Sequence, residues 1–150
     1  MPRVKEILAS KGPRVLSVHP DATVLEAAEK MNEHKVGSLV VIDHDHVAGM
    51  FTERDVLRRV VGERRDPATT LVAEVMTSEV VCCRPDSGID EVRTAMKNRR
   101  IRHLPVVDDD GNLLGLISIG DINAYQATTQ EQTIYFLHEY LYGPEPAGSV

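Results

Sequence analysis

The strongest constraint on this chain is that most of it is written twice. Pro20-Asp21 is answered by Pro85-Asp86, Val24 by Ile89, Glu26 by Glu91 and Met31 by Met96. Residues 39–43 (L-V-V-I-D) are answered at the same spacing by residues 104–108 (L-P-V-V-D). One extra residue in the turn that follows shifts the spacing by one. Gly49, Thr52 and Asp55 then meet Gly115, Ser118 and Asp121. Upstream, residues 4–8 correspond to 72–76. Two copies are too few for a stacked solenoid, so a face-to-face pair is expected. The boundaries read as 1–66 for the first repeat, 67–127 for the second and 128–150 for an appended segment.

Each copy has its own rhythm of apolar residues. Residues 4–9 form a short helical lead-in, which Gly12-Pro13 breaks. Residues 15–18 form a short strand. Val24, Ala27, Ala28 and Met31 recur at helical spacing and predict a helix over 24–33. Residues 39–42 and 47–51 are apolar runs around the polar turn Asp43-His44-Asp45-His46, which reads as a buried hairpin. Residues 52–61 form a second helix, with Val56, Leu57, Val60 and Val61 facing inward. A charged, proline-bearing link over 62–70 leads to the second copy: strand 80–83, helix 89–98, strands 104–107 and 113–117, helix 118–126. The fold class is α/β (α+β), two β-α-β-β-α repeats packed as a pseudo-twofold pair.

Both copies carry G-x-x-[ST]-x-x-D between a strand and a helix: G-M-F-T-E-R-D at 49–55 and G-L-I-S-I-G-D at 115–121. A helix N-terminus presents free N–H groups and partial positive charge, which favour a phosphate. The Thr or Ser hydroxyl adds a donor. The Asp, one helical turn along, can accept two hydrogen bonds from vicinal ribose hydroxyls, and the apolar strands suit a base. The competing reading is a capping box, S/T-x-x-E/D. That pattern occurs at 23–26, 52–55, 87–90 and 118–121. The pairs Thr52/Asp55 and Ser118/Asp121 share a preceding strand and a glycine three residues before the cap, which sets a ligand-contact reading beside the capping one; the family position given below tips it toward ligand contacts that can cap as well.

A net charge of −6 without a long basic run argues against nucleic acid, whose phosphate backbone needs clustered Lys and Arg. An anionic ligand then requires a locally cationic site. With 42% hydrophobic and 27% charged residues the chain reads as globular. No apolar stretch has the length of a membrane span, and the first residues show no signal-peptide core, so a cytoplasmic protein is expected. Cys82 and Cys83 are neighbours on opposite faces of a strand, which disfavours a disulfide between them. His44-Asp45-His46 completes no metal site. No phosphate-binding loop, nucleophile elbow or zinc-protease motif occurs, so no catalytic residue is assigned and no enzyme is expected. The segment after residue 128 holds Tyr135, Phe136, Tyr140 and Tyr142 and reads as an aromatic helix. It either covers its own domain or docks on a second copy.

These features together resemble the cystathionine β-synthase (CBS) domain family. The motifs that carry the resemblance are Val75-Met76-Thr77, Pro85-Asp86, the R-H-L-P-V-V-D run at 102–108 and the two G-x-x-[ST]-x-x-D stretches. The resemblance spans about residues 4–127 and implies a stand-alone tandem pair, a Bateman module. It implies a disc with two clefts that commonly take adenosyl ligands: AMP, ADP, ATP, NAD or S-adenosylmethionine. It also implies a homodimer. In one cleft it places Thr52 and Asp55 opposite Ile101 and Arg102, with Arg54 as a phosphate contact. In the other it places Ser118 and Asp121 with Val36, Gly37 and backbone near residue 14. His103 stands where other members carry a phosphate-binding Arg, which makes that contact pH-dependent. Gly120 replaces a further base, so the clefts are unequal. Arg99 and Arg100 read as a solvated helix end.

The expected function is an adenine-nucleotide sensor that signals to a regulated protein partner by conformational change. The alternative is an unliganded CBS-type dimer acting through its aromatic C-terminal helix.

Overall fold

Val4, Ile7 and Leu8 recur at helical spacing and open the first element, α1 (Val4–Lys11). The computed structural model describes residues 2–128. The helix ends at Gly12, whose φ of 92° lies outside the range most side chains adopt and whose N–H closes onto the Leu8 carbonyl. Strand β1 (Ser17–Val18) follows, then α2 (Val24–His34). Thr23 and Glu26 cap α2 reciprocally, and Val24, Ala27 and Met31 form its buried stripe. Strands β2 (Ser38–Asp43) and β3 (His46–Thr52) pair antiparallel, and β1 joins β2 in parallel, giving the order β1-β2-β3. Their turn holds His44 and Asp45 at φ 50° and 66°. Two positive central φ values match the twist of a two-residue hairpin.

The next segment departs from expectation. One α-helical turn, α3 (Glu53–Asp55), runs into a π-helix over Val56–Val61. There the N–H groups reach five residues back, as Gly62 does to Leu57. Val60 is buried and Val56 half-buried, but Leu57 and Val61 are each 63% exposed. The expectation that all four face inward fails for these two.

The second copy supplies α4 (Val72–Val75), α5 (Ile89–Arg99), β4 (His103–Val107) and β5 (Leu113–Ser118). A final helix, α6, begins at residue 119, and its described part ends at 128. The expected strand at 80–83 shrinks to one parallel bridge between Cys83 and Val106. The cause is Pro105. In the first copy the equivalent Val40 donates its N–H to Leu16, and proline has no N–H to donate. Cys82 is exposed and Cys83 buried, both as free thiols, and burial pushes the Cys83 thiol up to about 12.

The copies exchange their opening helices. Val4 and Ile7 are buried in the second copy's core with Ile89, Met96, Leu104 and Ile117. Val72 and Val75 complete the first copy's core with Val24, Leu39, Val41 and Phe51. Matching backbone bonds seal both crossings: Val4 N–H to Ser87 O at 2.9 Å, and Val72 N–H to Ala22 O at 2.8 Å. Each fully buried valine contributes about 1.5–3 kcal/mol, so neither copy has a complete core without the other. Among the described residues no helix is long and apolar enough to cross a membrane, and no three His, Cys, Asp or Glu side chains come together as a metal site requires. The aromatic segment expected after residue 128 lies outside the described residues.

Candidate functional site

Strand β3 delivers Thr52 in an extended conformation, φ −124° and ψ 162°, to the start of α3. Thr52 Oγ1 accepts the Asp55 N–H at 3.2 Å, and Thr52 N–H donates to Asp55 Oδ2 at 3.0 Å. Ser118 and Asp121 form the same reciprocal box, at 3.0 and 2.9 Å. The capping reading therefore holds for both pairs. It fails at 87–90, where Ser87 Oγ accepts from Arg84 N–H instead and Gly88 takes the N-cap position.

Beyond capping, the two copies diverge. Asp55 is 5% exposed and faces a cavity of about 370 Å³ between the repeats. Thr77 Oγ1, from the second copy's opening segment, donates to Asp55 Oδ1 at 3.1 Å. Thr77 is held there by two backbone bonds to Met50, each 2.9 Å. The approach is so close that a Cβ on Gly49 would stand 2.7 Å from the Thr77 carbonyl oxygen. The equivalent Gly115 lies under Leu8 of the other exchanged segment, 2.8 Å from where its Cβ would be. The glycine of each motif thus marks where the partner copy's opening helix crosses the sheet.

The cavity's walls carry distinct chemistry. Val80, Val81 and Ile101 are apolar, Asp55, Glu53 and Glu79 are acidic, and Arg54, Arg100 and Arg102 are basic. A carboxylate offers about four acceptor positions; Asp55 Oδ2 faces the Thr52 N–H and hydroxyl, while Oδ1 accepts the Thr77 hydroxyl and lies 3.9 Å from Arg59 Nε, so Oδ1 keeps acceptor capacity. A volume of this size falls within the range that small organic ligands fill.

At the second motif, Lys11 takes the carboxylate. Its Nζ lies 2.7 Å from Asp121 Oδ2 and 2.7 Å from Leu116 O. Burial pushes the Asp121 carboxyl up, but the Lys11 ammonium and the Ser118 N–H overcome it and leave it below its usual range. His103 lies between the two motifs, paired with Ser118 across β4 and β5 and lining the first cavity. Burial first, then the charge of Lys11, hold its imidazole below its usual pKa; Arg102 adds to this and Asp121 opposes it.

Of the residues singled out in the sequence, the fold gathers Thr52, Arg54, Asp55, Ile101, Arg102 and His103 around one cavity. Gly37, grouped with Ser118 by the resemblance, lines this cavity instead, because its carbonyl accepts the Glu53 N–H at 3.0 Å. Val36 is half-buried against the first core. Ser118 and Asp121 line neither this cavity nor the one adjoining it. Arg100, read as a solvated helix end, lines this cavity, since the left-handed turn at φ 55° ends α5 there. Thr77 and Lys11 were missed. Extending the correspondence of 4–8 with 72–76 would have set Ala9 against Thr77 and Lys11 against Glu79, a reversal of charge at one position.

Residues 4–62 and 72–127 each match the family model of the CBS domain. The chain belongs to the CBS domain family. It is a tandem CBS pair, as the duplication implied. The CBS domain-containing protein YhcV of Bacillus subtilis is 34% identical over 130 residues, spanning 87% of this chain and 89% of that one. The crystal structure of the CBS-domain containing protein ATU1752 from Agrobacterium tumefaciens matches with a TM-score of 0.77 at 39% identity, covering 83% of this chain and 99% of that one. The CBS domain pair of protein MJ0100, solved in complex with 5′-methylthioadenosine and S-adenosyl-L-methionine, matches with a TM-score of 0.75 at 25% identity, covering 86% of this chain and 98% of that one.

Proposed function

We propose that this CBS pair is a regulatory module that binds an adenine nucleotide in the cavity between its repeats. One observation carries the reading: Thr52 and Asp55, at a helix start, share a cavity of about 370 Å³ with apolar Val80, Val81 and Ile101 and with Arg54, Arg100 and Arg102. The carboxylate suits ribose hydroxyls, the apolar wall suits a base, and the arginines suit phosphate. The adenosyl ligands of the MJ0100 pair support the choice of base. The walls come from both repeats, so a bound nucleotide ties them together. It favours whichever relative arrangement it binds more tightly, and a protein partner that reads that arrangement receives the signal. The nucleotide is bound and not consumed, so it is recovered intact after incubation.

Thermal unfolding with AMP, ADP, ATP, NAD or S-adenosylmethionine tests this. A ligand at ~100 times its Kd adds about 2.7 kcal/mol of stability. Absence of a shift with all five contradicts the reading.

A second reading, interaction through a second copy of the chain, is favoured by Leu57 and Val61. They form an exposed apolar pair on the outer face of the π-helix. The double substitution Leu57→Glu, Val61→Glu should then convert a dimer to a monomer in light scattering. An unchanged mass contradicts it.

A further inference from the structure

Arg59 belongs to the π-helix of the first copy, but its guanidinium reaches the second copy's chain. Its Nη1 donates to Met76 O at 2.8 Å and lies 3.3 Å from Val75 O. These carbonyls stand at the C-terminal end of α4, where no intrahelical donor remains and a basic side chain is favoured. The next residue is Thr77, whose hydroxyl donates to Asp55 Oδ1 at 3.1 Å. The same guanidinium brings its Nε to 3.9 Å from that Oδ1. One side chain thus reaches both halves of the Thr77–Asp55 contact: the backbone that carries the hydroxyl and the carboxylate that accepts it.

The second copy is built differently. Asp55 corresponds to Asp121, so Arg59 corresponds to Tyr125. Tyr125 donates its hydroxyl to Glu6 Oε2 at 2.7 Å, and Asp121 takes its cation from Lys11. The arginine accompanies the carboxylate that faces a cavity.

We propose that Arg59 is a positioning residue for the cavity: by holding the Val75 and Met76 carbonyls it fixes the Thr77 hydroxyl on Asp55, and so fixes where the carboxylate's remaining acceptor capacity points. Arg59 does not line the cavity itself and acts through Thr77 and Asp55, which do. Asp55 Oδ2 is tied to the first copy by Thr52, and Oδ1 to the second by Thr77. With both ties in place the carboxylate has one orientation, and with Thr77 loosened it can turn. A guanidinium suits this task, because its planar fork reaches two carbonyls and a carboxylate that the point charge of a lysine cannot span. The consequence for affinity rests on the nucleotide reading of the cavity, whereas the consequence for the Thr77 segment does not.

Amide hydrogen exchange and calorimetric titration with ATP, on the full native chain and on Arg59→Gln, test it. The Met50 and Thr77 N–H groups, which bond each other's carbonyls at 2.9 Å, should exchange about tenfold faster in the variant, as loss of a hydrogen bond from a charged donor requires. The Cys83 and Val107 N–H groups, which form a bridge within the second copy, should stay within about twofold of their native rates. The Kd for ATP should rise about tenfold in Arg59→Gln. On a Thr77→Val background the same substitution should change the Kd by about twofold at most, because the group it acts through is gone; independent contributions would multiply instead. Arg59→Lys, which keeps the charge without the fork, should show the same pattern at smaller size and serves if the Gln variant does not fold. Unchanged exchange at Met50 and Thr77, or a full tenfold loss of affinity on the Thr77→Val background, overturns the role of Arg59 and leaves the nucleotide cavity standing. Faster exchange in a chain that binds no ATP overturns the nucleotide reading and keeps the anchoring of Thr77.

Discussion

Lys11 Nζ and Asp121 Oδ2 lie 2.7 Å apart in a direct ion pair, whereas the cation nearest Asp55, Arg59 Nε, stands 3.9 Å from its Oδ1. At the corresponding place beside Asp55 stands Glu79, which cannot do the same. A duplicated motif has thus become one carboxylate held by a close ion pair and one that faces a cavity.

Lys11→Ala should cost about 1 kcal/mol at neutral pH, the upper range for a partly exposed pair. The Asp121 carboxyl is held below its usual range in the folded state. Its contribution is therefore present above an unfolded pKa of about 3.9 and is lost as pH falls through the folded value. Urea denaturation at neutral and acidic pH should show the native-to-variant difference shrinking in acid. A constant difference contradicts the pairing.

Gly49→Ala should destabilise the fold by about 1–3 kcal/mol, because the new methyl meets backbone oxygen that cannot swing away. The displaced segment carries Thr77, so nucleotide affinity should fall with stability. Gly120→Ala, whose Cβ would meet only Ser118 Oγ at 3.6 Å, should be nearly silent. Equal effects at the two glycines contradict the crossing of the opening helix over β3.

Two histidines should answer pH with opposite signs. Burial, then Lys11, lowers the His103 pKa, so the unfolded chain takes up its proton first and stability falls as pH drops below about 6.5. His46 is exposed, and both of its ring nitrogens face carbonyl oxygens, of His44 at 2.8 Å and of Asp110 at 3.2 Å. Those contacts, that of His44 foremost, raise its pKa, so its contribution is full below about 6.5 and is lost as pH rises through the folded value. Melting temperature against pH for His103→Gln and His46→Gln checks this. The first variant should flatten the acid side of the profile and the second the neutral side.

The duplication and the hairpins were legible because local pattern decides them: apolar spacing, turn residues and a repeated motif; that motif singled out Thr52 and Asp55, while Arg54, Ile101, Arg102 and His103 came from the family resemblance. What was not legible depends on contacts distant in sequence. Val4 and Val72 look like the start of their own copies, and only the assembled fold shows that each completes the other's core. Pro105 reads as a family signature and acts as a missing donor that truncates an edge strand. Lys11 reads as the end of a helix, and its meaning comes from a carboxylate far along the chain. The Thr52 and Ser118 boxes satisfy the capping pattern equally, so spacing alone could not separate the carboxylate that faces a cavity from the one held by an ion pair.

The central claim is that Asp55, and the open cavity it faces, holds a nucleotide. Calorimetric titration of ATP into the native chain and into Asp55→Ala tests it most directly. The native chain should bind one nucleotide per chain, and the variant should bind about 10–150-fold more weakly, as loss of charge-assisted hydrogen bonds worth about 1.5–3 kcal/mol requires. A native chain that gives no binding heat, or a folded variant that binds as tightly as the native chain, would contradict it.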